Sequence, residues 1–308
     1  MKVFVAGATG VLGRAAVKAL AAAGHDVRGT ARGEEKAALL RAAGAEPVTV
    51  DLYDAEAVKS AVAGSEAVVH LATKIPPLTK VRSRKAWAEN DRLRTEAAHN
   101  LVDAAIAAGA QTYIQEAITF VYADGGDRWL GEDATVAVEV GPLRTALVSE
   151  AEAQRFTEAG GRGVALRFGA FYGPDAPSTI DSVRMARRRM MPVIGRGDNF
   201  FSSIHSEDAG SAVVAALSVP TGVYNVVEDE PVTMREYSRT LAEVFGAPRP
   251  LRVPKWVAGL VIGEPAKYIT RSQRVSNRRF KEATGWSPRF ASVREGFAEI
   301  AEAWARAD

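Results

Sequence analysis

Cysteine is missing altogether from this 308-residue chain, which excludes disulfides, thiolate zinc sites and a cysteine nucleophile. Histidine is scarce. His25, His70, His99 and His205 are scattered without metal-ligand spacing, so no metal is expected. No apolar run approaches the roughly 18 residues needed to span a bilayer. Met1 leads straight into a strand, with neither a basic n-region nor a cleavage site, so the expectation is a cytoplasmic protein with no membrane partner. Excess charge is lacking too: a formal net charge of +2 gives no support for nucleic-acid binding. The local run Arg184, Arg187, Arg188, Arg189 reads as a solvated face or subunit contact, or else as a lure for an acidic substrate. What remains is an ordinary globular composition, 47% hydrophobic and 25% charged, in a chain long enough to bury a substantial α/β core.

From Lys2 to about Phe171, short apolar runs alternate with Ala-rich helical stretches. Strands are expected at Val3–Ala6, Val27–Ala31, Pro47–Val50, Ala67–Leu71, Thr112–Gln115 and Val164–Phe168. Helices are expected at Val11–Ala23, Glu34–Ala43, Ala55–Ala63, Lys85–Ala108 and Leu143–Ala159. Helices of this length between β-branched runs imply right-handed βαβ crossovers, hence a Rossmann-type doubly wound parallel sheet. After Gly173-Pro174 the rhythm breaks and helices dominate: Ile180–Arg189, Glu207–Ser218, Met234–Phe245, Trp256–Ile262 and Val293–Ala305. Short strands near Phe200–Ile204 and Tyr224–Val227 should return to the neighbourhood of the sheet. The expected organisation is a dinucleotide-binding domain over residues 1–172, joined by 199–226. Residues 173–198 and 227–308 should form a smaller, mainly helical substrate lobe, with a cleft between the two.

The strongest motif is Val5-Ala6-Gly7-Ala8-Thr9-Gly10-Val11-Leu12-Gly13, lying between the first strand and the first helix. Gly7, Gly10 and Gly13 at this spacing let backbone approach a pyrophosphate while the helix N-terminus faces it, and Thr9, Val11 and Leu12 complete the loop. The end of the second strand chooses between cofactors. A carboxylate there would bond a ribose 2′-OH, but the sequence reads Val27-Arg28-Gly29-Thr30-Ala31-Arg32. Arg32 is placed to meet a 2′-phosphate, which favours NADP over NAD; a solvated arginine is the other reading. Asp51-Leu52 could contact the adenine edge, although Asp51 or Asp54 would equally cap a helix starting near Ala55. His70-Leu71-Ala72-Thr73 lies where the ribose should sit, His70 itself reading as a packed histidine.

With these segments in order, the chain resembles an extended short-chain dehydrogenase/reductase of the NAD-dependent epimerase/dehydratase group. The likeness runs nearly end to end. Ala6–Gly13 matches the glycine motif and Val68–Ala72 the fourth-strand motif. Leu166–Pro174 resembles the segment that wraps the nicotinamide side, which puts Phe168 beside the cofactor. Ser203–Asp208 resembles an I-H-x-x-D motif, while Tyr224-Asn225-Val226 and Gly285-Trp286-Ser287-Pro288 match landmarks of the substrate lobe. The resemblance implies a nicotinamide dinucleotide across the strand ends, a small-molecule substrate under the C-terminal lobe, and a homodimer through helices of the Rossmann half.

One departure matters. The group's usual chemistry relies on a Tyr-x-x-x-Lys pair and a nearby Ser or Thr, yet no tyrosine and no lysine occurs between Ala123 and Phe171. Ala146 falls in the tyrosine slot, Glu150 in the lysine slot and Ile118 in the hydroxyl slot, with Thr119 the only nearby hydroxyl. Glu150 and Glu152 read as solvent-facing. Atypical members with such losses exist, and this chain resembles them. Candidate replacements are Glu116, read as ending the fifth strand and buried with a raised pKa, and Tyr122, which alternatively is a core-lid aromatic. Lys74 could reach the ribose or a substrate oxygen but reads rather as solvated, and His205 reads as bracing the lobe through Asp208. Trp129 could line the cleft from a loop. The leading expectation is an NADP-dependent oxidoreductase with rearranged proton transfer. The alternatives are a nucleotide-retaining epimerase, dehydratase or cyclase, and a non-catalytic nucleotide sensor.

Overall fold

A computed structural model describes residues 1–77, 80–81, 83–138, 141–263 and 268–307. The first half delivers strands β1 (Lys2–Ala6), β2 (Asp26–Thr30), β3 (Glu46–Val48), β4 (Ala67–His70) and β5 (Thr112–Ile118). The helices between them are α1 (Val11–Ala22), α2 (Glu34–Ala42), α3 (Ala55–Val62) and the pair α4 (Arg84–Arg92) and α5 (Ala98–Ala107). Between α4 and α5 the chain stays helical but widens into a π turn over Leu93–Ala97, a distortion that often marks a functional place. A short β6 (Trp129–Leu130), then α6 (Gly141–Glu158) and β7 (Arg162–Phe168), complete this half.

Seven strands form one parallel sheet. Its order is β12-β7-β5-β4-β1-β2-β3, where β12 is Gly222–Val226. Strand order reverses at β1, which has β2 on one side and β4 on the other, and in open α/β sheets ligands bind in the crevice at such a switch point. Both faces are covered. Val3, Val5, Val69 and Ile114 pack beneath Leu12, Ala16 and Leu20 of α1 and Ala209, Val213 and Ala216 of the later helix α8 (Ser206–Ala216). Phe4, Val68 and Tyr113 pack beneath Val58, Leu101 and Phe156 on the opposite face.

The remaining elements are small. They comprise α7 (Pro177–Arg187), α9 (Met234–Val244), α10 (Lys255–Ile262), α11 (Arg278–Thr284) and α12 (Val293–Ala307), with two-stranded ribbons between them. Strand β8 (Ala170–Tyr172) pairs with β11 (Ser203–His205), and β9 (Val193–Ile194) with β14 (Arg252–Val253). Strand β10 (Phe200–Phe201) pairs with β13 (Val232–Thr233), and β15 (Arg274–Val275) with β6. A separate core of Tyr172, Val183, Tyr237, Leu241, Phe297 and Ile300 holds this part together.

Several boundaries differ from expectation. Strand β5 continues three residues beyond Gln115, so Glu116 lies within it. The basic helix stops at Arg187, because Arg189 adopts a positive φ of 58°. The single strand expected over Phe200–Ile204 is split, and Ser202 between the pieces donates from Oγ to the Gln273 carbonyl at 2.8 Å. Of the two returning segments, β12 joins the main sheet while β10 and β11 stay in ribbons. Among the described residues no helix is long and apolar enough to cross a membrane.

Candidate active site

The loop from β1 to α1 is shaped by contact. Gly7 has φ +83°, and a Cβ on it would sit 2.5 Å from the Ala72 nitrogen, so this turn can press against the chain leaving β4 only as glycine. A Cβ on Gly13 would fall 2.0 Å from the Gly7 carbonyl oxygen. A Cβ on Gly10, by contrast, would meet only that oxygen, at 3.4 Å, leaving its outer side open. The Gly7 N–H donates to Thr30 Oγ1 at 2.8 Å, fixing the loop to the end of β2. No side chain caps α1, so its first-turn N–H groups remain for an external acceptor. Thr9 offers its carbonyl to Arg14 Nη1 at 3.3 Å, and Arg14 reaches Asp175 beyond β8 at 2.7 Å. Leu12 points into the core. The open outer side of Gly10, beside an uncapped helix start, fits a pyrophosphate.

Next along the crevice, Arg32 is exposed past the end of β2 and has no hydrogen-bond or ion-pair partner among the described residues. Asp51 accepts the Tyr53 N–H at 3.0 Å, while Asp54 is the true cap of α3, accepting from Glu56 and Ala57 at 3.1 Å each. Leu52 is buried, and its carbonyl accepts Asn100 Nδ2 at 3.0 Å. The Arg92 guanidinium lies over the Tyr53 ring, 3.7 Å from its centroid. Leu71 is buried, Ala72 and Thr73 are half-buried, and the Lys74 N–H donates to Asn90 Oδ1 at 3.1 Å; the Lys74 residue itself is exposed. Phe168 is fully buried, its ring packed on Phe171 with centroids 5.3 Å apart.

Beyond the end of β4 the candidate catalytic groups are all enclosed. Glu116 lies 3.1 Å from Arg94 in the π turn, both side chains at most 3% exposed. Burial pushes the Glu116 carboxyl up, against the pull of Arg94. Arg94 Nε and Nη1 have no partner. Thr119 is buried and opens a single 3-10 turn to Val121. Tyr122 is fully buried; its hydroxyl donates to Asn225 Oδ1 at 2.7 Å and accepts from Arg167 Nη1 at 3.0 Å. Burial, above all, raises this phenol. Ala146 is buried. Glu150, expected to face water, instead forms a two-pronged bond with Arg167 at 2.8 and 2.7 Å, the side chains 9% and 7% exposed. Glu152, also expected to face water, is only 15% exposed and bonds Arg155 at 2.7 Å.

His70 and His205 are both enclosed. His70 is fully buried with Nδ1 3.0 Å from Gln115 Oε1, and burial pushes it down to about 4, so it is neutral. His205 does not reach Asp208, whose carboxylate accepts the N–H groups of Arg289 and Phe290 at 2.8 and 3.1 Å. It packs edge-on to Tyr172 instead, with Nε2 3.7 Å from Glu299.

The model of the NAD dependent epimerase/dehydratase family matches residues 3–226, the span from β1 through β12. The chain belongs to this family. A relative from Streptomyces sp, described as a 3-diazoavenalumate denitrifying reductase, is 36% identical over 306 residues, covering 96% of this chain and 99% of the relative. An Arabidopsis thaliana relative, the chloroplastic homolog of epimerase family protein SDR39U1, is 28% identical over 97% of this chain and 86% of its own length. Among solved structures, human SDR39U1 (isoform 2) with NADPH superposes with a TM-score of 0.79 at 23% identity, over 98% of this chain and 99% of that one. Family and cradle agree on a nicotinamide dinucleotide in the crevice.

Within this family member, the sequence motifs marked the cradle but not its braces. Thr30, Arg14, Arg94 and Arg167 went unremarked. For two of them a signal existed. Arg167 interrupts the buried run Val164–Phe168, and Arg94 sits one residue past buried Leu93, and a charge at a buried position demands a partner. The partners were read separately, Glu150 as solvated and Glu116 as a buried acid or base.

Proposed function

We propose that this chain is an NADPH-dependent reductase of a small electrophile in which no side chain delivers a proton to the reacting atom. The observation that carries the reading is the engagement of the three enclosed ionisable candidates at the strand ends: Glu116 with Arg94, Glu150 with Arg167, and Tyr122 between Arg167 and Asn225. Gly7, Thr9, Gly10, Val11, Leu12 and Gly13 hold the pyrophosphate, and Asp51 and Leu52 border the adenine. Leu71, Ala72 and Thr73 line the ribose, and Phe168 backs the nicotinamide side. Arg32 takes the 2′-phosphate, since it is exposed and uncommitted. Residues 1–172 with 199–226 carry this site; 173–198 and 227–308 cover the substrate. Glu116, Thr119 and Tyr122 position the chain around the reacting centre rather than exchange protons.

Bound there, the reduced dinucleotide supplies a hydride. A carbonyl acceptor would also need a proton on oxygen. A diazo-substituted arene in its diazonium form does not: a C–H bond forms, the C–N bond breaks, and dinitrogen leaves with the bonding pair. The Streptomyces relative, whose name joins a diazo compound to a denitrifying reductase, supports this substrate class.

Calorimetric titration with NADPH and NADH, for the wild type and Arg32→Ala, tests the cofactor. NADPH is expected to bind more tightly, and loss of Arg32 to remove at least about tenfold of that preference, equivalent to about 1.4 kcal/mol. NADPH oxidation with an arenediazonium and with a ketone tests the chemistry. Binding of neither nucleotide, or turnover of the ketone alone, would overturn the proposal.

A further inference from the structure

Arg274 is a cation without an anion. Strand β15 pairs with β6 so that Arg274 lies opposite Trp129. Its guanidinium carbon is 4.3 Å from the Trp129 ring centroid and 4.8 Å from that of Phe200, so the group is flanked by two aromatic rings. Arg94 and Arg167, the most buried arginines, each face a carboxylate, and nearby Arg271 donates to the carbonyls of Ala137 and Tyr122. No described residue accepts a hydrogen bond from Arg274. Its Nε is sealed from solvent and unpartnered, whereas neither terminal nitrogen is sealed. Rings hold a guanidinium by its faces and leave the N–H edge unused. A half-buried cation in that state favours an incoming anion.

The place suits a ligand. The adjacent Gln273 donates through Nε2 to the carbonyls of Tyr122 and Phe120, at 2.7 and 3.5 Å, on the segment that leaves β5. Gln273 thereby ties this segment to the loop that leaves β5, while Arg274, on the opposite face, keeps to Trp129 and Phe200. Trp129 is 49% exposed, which leaves much of its surface for a flat group. A planar acid could therefore place its carboxylate on the Arg274 terminal nitrogens and lay its carbon skeleton on Trp129.

We propose that Arg274 and Trp129 form the substrate-recognition site of this reductase, and that it takes a conjugated aromatic carboxylate. The proposal rests on the crevice being a small-molecule site as argued above, but not on the chemistry performed there. No bond is made or broken at Arg274; it is a binding residue.

The probes are cinnamate and its uncharged analogue cinnamamide, titrated by calorimetry and by tryptophan fluorescence, with and without NADP. Cinnamate is expected to bind, and cinnamamide to bind at least about tenfold more weakly, as befits a charge-assisted pair. Arg274→Gln should weaken cinnamate by a similar factor while leaving the NADPH dissociation constant unchanged, and Arg274→Lys should recover part of the loss. Circular dichroism and the NADPH titration together verify that each variant is folded. Equal affinity for acid and amide, an unchanged Arg274→Gln, or no cinnamate binding at all overturns the proposal. Failure to bind NADPH would sink the cofactor assignment instead, and the acid–amide comparison without nucleotide would still decide the role of Arg274.

Discussion

Replacing Glu150 with leucine removes one half of the enclosed Glu150–Arg167 pair. Arg167 Nε and Nη2 reach the two carboxylate oxygens at 2.8 and 2.7 Å, and Nη1 is committed to the Tyr122 hydroxyl at 3.0 Å. With side chains 9% and 7% exposed, water cannot replace the lost partner. Removing one member of such a pair strands a buried charge and costs about 3–5 kcal/mol. That is a large share of the roughly 5–15 kcal/mol by which a native domain is stable. At roughly 2 °C per kcal/mol for a chain of this size, the thermal midpoint should fall by about 6–10 °C. Glu150→Leu/Arg167→Met removes both charges and should recover most of the loss, the difference being a coupling energy that a double-mutant cycle isolates. Urea unfolding followed by circular dichroism gives the free energies. A Glu150→Leu protein within about 1 kcal/mol of wild type would show that the pair is solvated, with a surface bridge's small worth, and would refute the reasoning.

Tyr122→Phe leaves Arg167 Nη1 and Asn225 Oδ1 without a partner and should cost about 1–3 kcal/mol of stability. Its turnover should change little, whereas a true general acid contributes at least about 100-fold. Glu228 is buried, accepts hydrogen bonds from Tyr172 and Ser203, and is pushed by burial from 4.5 to about 7. The unfolded carboxyl ionises first, so stability should fall by about 3 kcal/mol as pH rises through that window. Glu228→Gln should abolish that fall, as pH-dependent melting would show. His70 acts at the other end: held at about 4 against an ordinary 6.5, it takes up its proton only in the unfolded chain. That destabilises the fold as pH drops from 6.5 towards 4, a loss that His70→Gln should reduce in acid melting curves.

Much of the sheet was legible because local signals decide it. Apolar runs closed by Gly24, Gly44, Gly64 and Gly109 placed β1 to β4 and their helices within a residue or two, and the glycine loop needed only its strand–helix context. What the sequence hid depends on distant partners. Glu116 read as a strand end because a lone carboxylate breaks an apolar pattern; Arg94, 22 residues earlier in the chain, is what lets β5 continue through it. Ser202 splits the Phe200–Ile204 run because Gln273 and Val275 come back to meet it. Glu150 read as solvent-facing for the same reason: helical periodicity shows which side a residue takes, not that an arginine waits there.

Reduction of an arenediazonium by the protein and NADPH in D2O tests most directly whether hydride alone completes the chemistry. Mass spectrometry of the arene should find protium at the carbon that lost nitrogen, with one NADPH consumed per product. Deuterium at that carbon, or arene formed without NADPH consumption, would contradict a reductase that works without a proton donor.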